Sequence, residues 1–144
     1  MIHFRNATNA DFNLAFQIKK TSIKPYIAQI WGWDDDVQLE FHIKDFNPEK
    51  TKIFFDESNE AVGLMVTSED DTNIYLQSLL LRQNAQGKGL GTKILRELIE
   101  QARSRSKQIK LQVFKVNNRA KALYERLGFI TIGQTVFHDE MICR

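Results

Sequence analysis

Between Asn73 and Arg103 the chain passes from a nearly continuous apolar run, through a segment with three glycines in five residues, into an amphipathic stretch. Asn73 to Leu81 reads as a central strand covered on both faces. Beyond the loop, Leu90, Ile94, Leu98 and Ala102 stand four apart with Leu95 and Ile99 beside them, which is the stripe of a helix with one buried face. Few arrangements satisfy such a sequence. The strand must lie inside a sheet, and the helix must pack back upon it. Glycines at the junction bring backbone amides close together at the positive end of a helix, an arrangement suited to phosphate oxygens.

The remaining elements surround this unit. Ile2 to Asn6 alternates as a short first strand, and Thr8 with Asp11 three residues later resembles a capping box for a helix to about Thr21. Pro25 is expected to open a separate helical turn carrying Tyr26, Ile27, Ile30 and Trp31. Asp34 is expected to cap a further helix with Val37 and Phe41 on its buried side. Lys52–Asp56 and Ala61–Ser68 read as strands joined by a polar turn. Ile109–Phe114 follows as another strand. A helix over Asn118–Leu127 has Ala120, Leu123 and Leu127 as its buried stripe and Gly128 as its stop. Phe129–Ile132 and Thr135–Ile142 close the chain. The expected fold is α+β (mixed α/β), with about seven strands in one sheet flanked by helices, and 144 residues suit a single domain over 1–144.

Charge is divided unevenly. From Arg82 to Arg126 there are twelve Lys and Arg against three Glu, whereas the rest of the chain has eight basic and fifteen acidic residues. A basic half suits an anionic ligand and an acidic half a cationic one. No apolar run approaches the ~20 residues of a membrane span, and the first residues lack a signal-peptide pattern. The one cysteine, Cys143, has neither a disulfide partner nor other ligands at metal spacing, so a reducing cytoplasm and no metal are expected. The basic residues lie largely on helices with apolar stripes, without a nucleic-acid motif, so no nucleic-acid partner is expected.

The glycines at 87, 89 and 91 fit neither the G-x-x-x-x-G-K-[ST] loop nor the G-x-G-x-x-G fingerprint. Gln86-Gly87-Lys88-Gly89-Leu90-Gly91 instead resembles the acetyl-CoA signature Q/R-x-x-G-x-G/A of the GCN5-related N-acetyltransferases. A second signature of that family, N-x-x-A-x-x-L-Y-x-x-x-G-F, is matched from Asn117 through Ala120, Leu123, Tyr124 and Gly128 to Phe129. The specific motifs cover Asn73 to Phe129, and the order of elements is similar over the whole chain. The resemblance implies the acyl-CoA N-acyltransferase fold, with a mostly antiparallel sheet, and an acetyl-CoA-dependent transfer of acetyl to an amine.

The same resemblance implies site residues. Backbone amides from Gln86 through Gly91, including Gly87, Lys88, Gly89 and Leu90, would hold the pyrophosphate. Leu79, Leu80 and Leu81 would pair with the pantetheine arm, and Asn117 would hydrogen-bond it. Tyr124 would protonate, or donate a hydrogen bond to, the departing thiolate. Unperturbed phenol and thiol pKa values near 10 and 8.5 make complete transfer cost about 2 kcal/mol. Many members carry a glutamate base where this chain has Tyr75. Gln77 on the same face would hold a water, and Glu40, His42 and His138 are the remaining candidate bases. Direct attack by an amine that loses its proton to solvent is equally open.

By the same resemblance, the acceptor would meet the run from Tyr26 through Trp31 and Trp33 to Asp34-Asp35-Asp36, and the strand around Phe137-His138-Asp139. The tryptophans suit either an aromatic wall for a cation or a core or dimer contact, and the acids suit either a cation site or a solvated helix start. A homodimer is compatible with the family. An acyl-CoA-sensing module with little turnover is the competing function, favoured by the missing base and opposed by Tyr124.

Overall fold

Thr8 and Asp11 form the capping box that the pattern predicts, closing a short 3-10 turn over Asn9–Asp11 that leads into the first α-helix at Phe12. The Asp11 carboxylate accepts from the Thr8 backbone N–H at 2.8 Å, and Arg5 grips both its oxygens at 2.7 and 2.9 Å. The arginine pair, then the Thr8 bonds, hold this carboxyl down at about 2. These features belong to a computed structural model that describes residues 3–144. Ile2, read as the start of the first strand, lies outside the described residues.

Seven strands form one sheet in the order β1-β2-β3-β4-β5-β7-β6. They are β1 (His3–Asn6), β2 (Thr51–Phe55), β3 (Ala61–Glu69), β4 (Asn73–Leu81), β5 (Gln108–Phe114), β6 (Ile130–Gln134) and β7 (His138–Cys143). The β4–β5 pair is parallel, from Asn73↔Gln108 to Leu76↔Leu111, while β1–β2, β2–β3, β5–β7 and β6–β7 are antiparallel. Four helices accompany them: α1 (Phe12–Ile30), α2 (Asp35–Asp45), α3 (Leu90–Ser104) and α4 (Asn118–Arg126). The chain divides into two compact units, residues through Val66 with Ser78–Gln86, and Thr67–Gln77 with Gly87–Arg144.

In the first unit, Ala15 and Ile18 of α1 are buried with Ile53 and Phe55 of β2 and Leu64 of β3, and Leu80 packs against them. Each of these isoleucine, leucine and phenylalanine side chains contributes on the order of 2 kcal/mol by leaving water. Pro25 does not open a new turn, contrary to the sequence expectation. It sits inside α1, which continues to Ile30. A proline within a helix forfeits one N–H bond and costs about 3 kcal/mol. The apolar Ile18 and Ile27 remain buried on either side of it, and their burial carries the helix through.

Asp34 caps α2 as expected, accepting from Val37 N–H at 3.1 Å. The buried face of that helix is not the expected one. Val37 and Phe41 are 45% and 54% exposed, whereas His42 is 2% exposed. His42 lies among the rings of Phe12, Phe16 and Phe46. Its Nε2 meets the Phe12 carbonyl at 2.8 Å and its Nδ1 the Lys19 ammonium at 2.9 Å. These two bonds turn position 42 inward and leave Val37 and Phe41 outside.

In the second unit, Ile109, Leu111 and Val113 of β5, Met141 and Cys143 of β7, and Ile94, Leu95, Leu98, Ile99 and Ala102 of α3 are buried. The α3 stripe is as the spacing predicts. The expected α4 stripe is corrected: Ala120, Leu123 and Leu127 are half-buried, and Tyr124 is the buried residue. Its ring lies 5.5 Å from that of Phe129, just past the Gly128 stop. The double cover expected for β4 holds only at its start, since Asn73, Ile74 and Leu76 are buried while Gln77 is exposed and Leu79–Leu81 are half-buried.

Candidate functional site

The first unit contributes the end of β4. Gly63 of β3 lets this segment approach closely: a Cβ there would stand 2.3 Å from the Leu80 carbonyl oxygen, which no side chain tolerates. The Leu81 carbonyl accepts from the Gln86 side chain at 2.9 Å, and Arg82 N–H donates to Val62 O at 2.9 Å. Gln86 thereby ties the start of the glycine segment to the last residue of the strand.

In the second unit, Gly87 and Gly89 have φ of +77° and +80°. Any other residue would be strained there by about 1–2 kcal/mol. Gly89 is the residue before α3, and a Cβ built on it meets nothing within 4 Å. Gly91 differs from the other two, because it is buried in the first turn of α3. Lys88 is exposed between the left-handed pair. No acid occupies the first turn of α3 or of α4, so neither positive helix end is offset there.

Asn117 caps α4, its Oδ1 accepting from Ala120 N–H at 3.1 Å. That bond explains why an asparagine begins the second motif and leaves the Nδ2 hydrogens as its donors. Arg119, two residues on, brings Nη2 within 3.1 Å of where a Gly87 Cβ would be. Sequence reasoning did not single out Arg119. Its position within the motif was visible, but the reach of its side chain to a loop thirty residues away was not. Tyr124 is 8% exposed, and burial pushes its phenol up to about 12.

The candidate bases divide clearly. Tyr75, at the position of the usual glutamate, donates to Asp70 at 2.9 Å, and this bond raises its pKa, so it holds its proton. Gln77 is exposed and donates to Ser68 Oγ at 3.2 Å. Both ring nitrogens of His42 are engaged in a buried cluster. The His138 ring stacks on Phe114 at 4.4 Å. Glu40 is exposed on α2.

The acceptor candidates are also separated. Trp31 is 56% exposed and is no core residue. Trp33 Nε1 donates to Asp35 at 2.6 Å, and Asp35 also pairs with Lys20 at 3.1 Å. Asp34 is the cap, so two of the three acids serve the start of α2. Asp139 is buried against Lys121 at 2.9 Å. Among the described residues, no cluster of His, Cys, Asp or Glu is arranged to hold a metal ion, and no helix is long and apolar enough to cross a membrane.

A seven-stranded mixed sheet with four helices, in this order, is the acyl-CoA N-acyltransferase fold. The chain aligns over its full length with 99% of the PaiA N-acetyltransferase of Thermoplasma acidophilum, solved with coenzyme A, at a TM-score of 0.82 and 16% identity. The family model described as "Acetyltransferase (GNAT) family" matches residues 15–129, and the chain belongs to that family. Over 78 residues it is 36% identical to the spermine/spermidine N(1)-acetyltransferase of Bacillus subtilis, a match covering 51% of each chain. A 5-NmdU N-acetyltransferase of Pseudomonas phage PaMx11 is 39% identical over 54 residues, 38% of this chain and 37% of that one. The chain spans about half the length, or less, of these curated relatives.

Proposed function

We propose that residues 1–144 act as one acetyl-CoA-dependent N-acetyltransferase that moves acetyl to a primary amine. The observation that carries this reading is the loop before α3, where two left-handed glycines flank Lys88 at a helix start without acids. In this reading the amides of Gln86–Gly91 hold the pyrophosphate. Leu79 and Leu80 pair with the pantetheine arm beside Leu81, whose carbonyl already accepts from Gln86. Asn117 gives an Nδ2 hydrogen to the same arm while its Oδ1 caps α4.

Tyr124 then acts at the leaving group. With the phenol at about 12 and a thiol at ~8.5, full proton transfer would cost about 5 kcal/mol. The tyrosine therefore serves as a hydrogen-bond donor to the developing thiolate, not as a complete acid. The attacking amine loses its proton to water, with Gln77 a candidate to hold that water, since Tyr75 donates instead of accepting.

For the acceptor we favour a cationic amine of the polyamine kind. The names of the Bacillus relatives and the acidic balance outside Arg82–Arg126 support it. Thiol release from acetyl-CoA, measured against spermine, spermidine, peptide N-termini and lysine peptides, tests the reading. Release above the hydrolytic background with one class supports transfer. Tight CoA binding without release to any amine would favour the acyl-CoA-sensing alternative.

A further inference from the structure

We propose that Arg119 is a side-chain ligand for a phosphate of the coenzyme, held over the glycine loop from the first turn of α4. This rests on the acetyl-CoA reading above and adds to it a charged group outside the loop's own backbone. Asn117 fixes the start of α4 by accepting from Ala120 N–H at 3.1 Å. Arg119 follows within that turn and brings its guanidinium against Gly87, where a methyl group would stand 3.1 Å from Nη2. Gly87 has φ +77° and no side chain, so the guanidinium and the loop amides share one small region.

Two cations and two helix starts without acids meet this region. Lys88 stands in the loop, Arg119 lies over it, and the first turns of α3 and α4 hold no acid. The first turn of α2, by contrast, carries Asp35 and Asp36. A planar guanidinium matches two phosphate oxygens at once, which an ammonium cannot do. Bonds of Arg119 to protein groups are compatible with this role, because the fork has five N–H donors.

The experiment compares wild type with Arg119→Gln and Arg119→Lys. CoA and dephospho-CoA, which lacks the 3′-phosphate, are titrated calorimetrically at low and high salt. The kcat/KM for acetyl-CoA is set beside that for acetyl-pantetheine, which has no phosphate. We expect Arg119→Gln to weaken CoA roughly ten- to a hundredfold and to flatten its salt dependence. Arg119→Lys should recover part of the loss, and acetyl-pantetheine turnover should stay within about twofold of wild type, a margin well below the effect of one charged hydrogen bond. Retention of the loss with dephospho-CoA assigns the contact to the pyrophosphate, and its disappearance assigns it to the 3′-phosphate. Equal damage to acetyl-CoA and acetyl-pantetheine, or wild-type CoA affinity in Arg119→Gln, would overturn this proposal alone. Wild-type protein that binds neither CoA nor dephospho-CoA would overturn the acetyl-CoA reading and this inference together.

Discussion

The ammonium of Lys19 donates to Nδ1 of His42 at 2.9 Å, while Nε2 of the same ring meets the carbonyl of Phe12 at 2.8 Å. One nitrogen accepts and the other donates, so the ring is neutral with its proton on Nε2. His42 is the only buried residue of α2 among those described, and this pair of bonds therefore holds the helix in place.

Stability should fall as the medium is acidified through the histidine range. Burial, and then the Lys19 charge, lower the His42 pKa below 6.5, while Asp45 and the Phe12 carbonyl oppose the shift. Below about 6.5 the unfolded chain takes up a proton that the folded chain refuses. The stabilisation is complete above 6.5 and is lost as pH falls through the folded value, at about 1.4 kcal/mol per unit of separation. Asp11 and Asp70, held at about 2, lose their contribution only below about 4. Urea midpoints from pH 7 to 5 should decline in wild type and flatten in His42→Gln. Parallel slopes in the two proteins would remove His42 from this role.

Tyr124→Phe should keep the contact with the Phe129 ring at 5.5 Å and remove only the hydroxyl. CoA affinity should persist while kcat falls roughly ten- to a thousandfold. The wild-type pH profile provides a second check. An amine nucleophile near pKa 10 makes the rate climb with pH, and a phenol at about 12 remains a donor throughout that climb. The rate should therefore rise through pH 10 without a turn caused by tyrosine ionisation. Equal turnover in Tyr124→Phe would reduce Tyr124 to a packing residue.

Gly89→Ala isolates the loop. Beyond its chain neighbours the added methyl meets nothing within 4 Å, so an effect on CoA binding would report on the pyrophosphate site proposed above. Gly32→Ala is the control, with φ +78° and equally open surroundings in the first unit. Both variants should lose about 1 kcal/mol of stability to left-handed strain. Only Gly89→Ala should lose CoA affinity by calorimetry. Equal CoA binding by the two would separate the loop from the coenzyme.

The acids before and within the first turn of α2 should behave differently from one another. Asp34→Ala removes the bond to Val37 N–H and should cost about 1 kcal/mol, whereas Asp34→Asn preserves the cap. Asp36→Asn leaves the cap and the Lys20–Asp35 pair intact. For a cationic acceptor it should raise the acceptor KM at low salt and leave that for acetyl-CoA alone. An unchanged acceptor KM at low ionic strength would assign Asp36 to the solvated start of the helix.

Much of this protein was legible one segment at a time. The Thr8–Asp11 and Asp34 caps, the α3 stripe and the stop at Gly128 follow from bonds within a few residues. Each of these appears where the spacing put it, and the glycines read as a loop before α3 prove to include two left-handed residues. Apart from the break expected at Pro25, the succession of strands and helices along the chain followed from the same local periodicities, because burial on one face imposes a period of two or 3.6. The two family signatures were likewise legible in the sequence, through their resemblance to a known family.

What tertiary structure decided involves partners distant along the chain. The sequence pattern around Pro25 favoured a break, and burial of the apolar Ile18 and Ile27 on either side overrode it. The apolar residues of α2 suggested a face through Val37 and Phe41, but two hydrogen bonds to a histidine, from residues 23 and 30 positions away, chose another. Asp35 looked like a free acid until folding set it between Trp33 and Lys20. Arg119 was one of twelve basic residues in its half until the turn at Asn117 placed its guanidinium beside Gly87. Periodicity and capping energies act over one turn of chain, whereas desolvation and ion pairing depend on which segments meet, and only the folded chain specifies that.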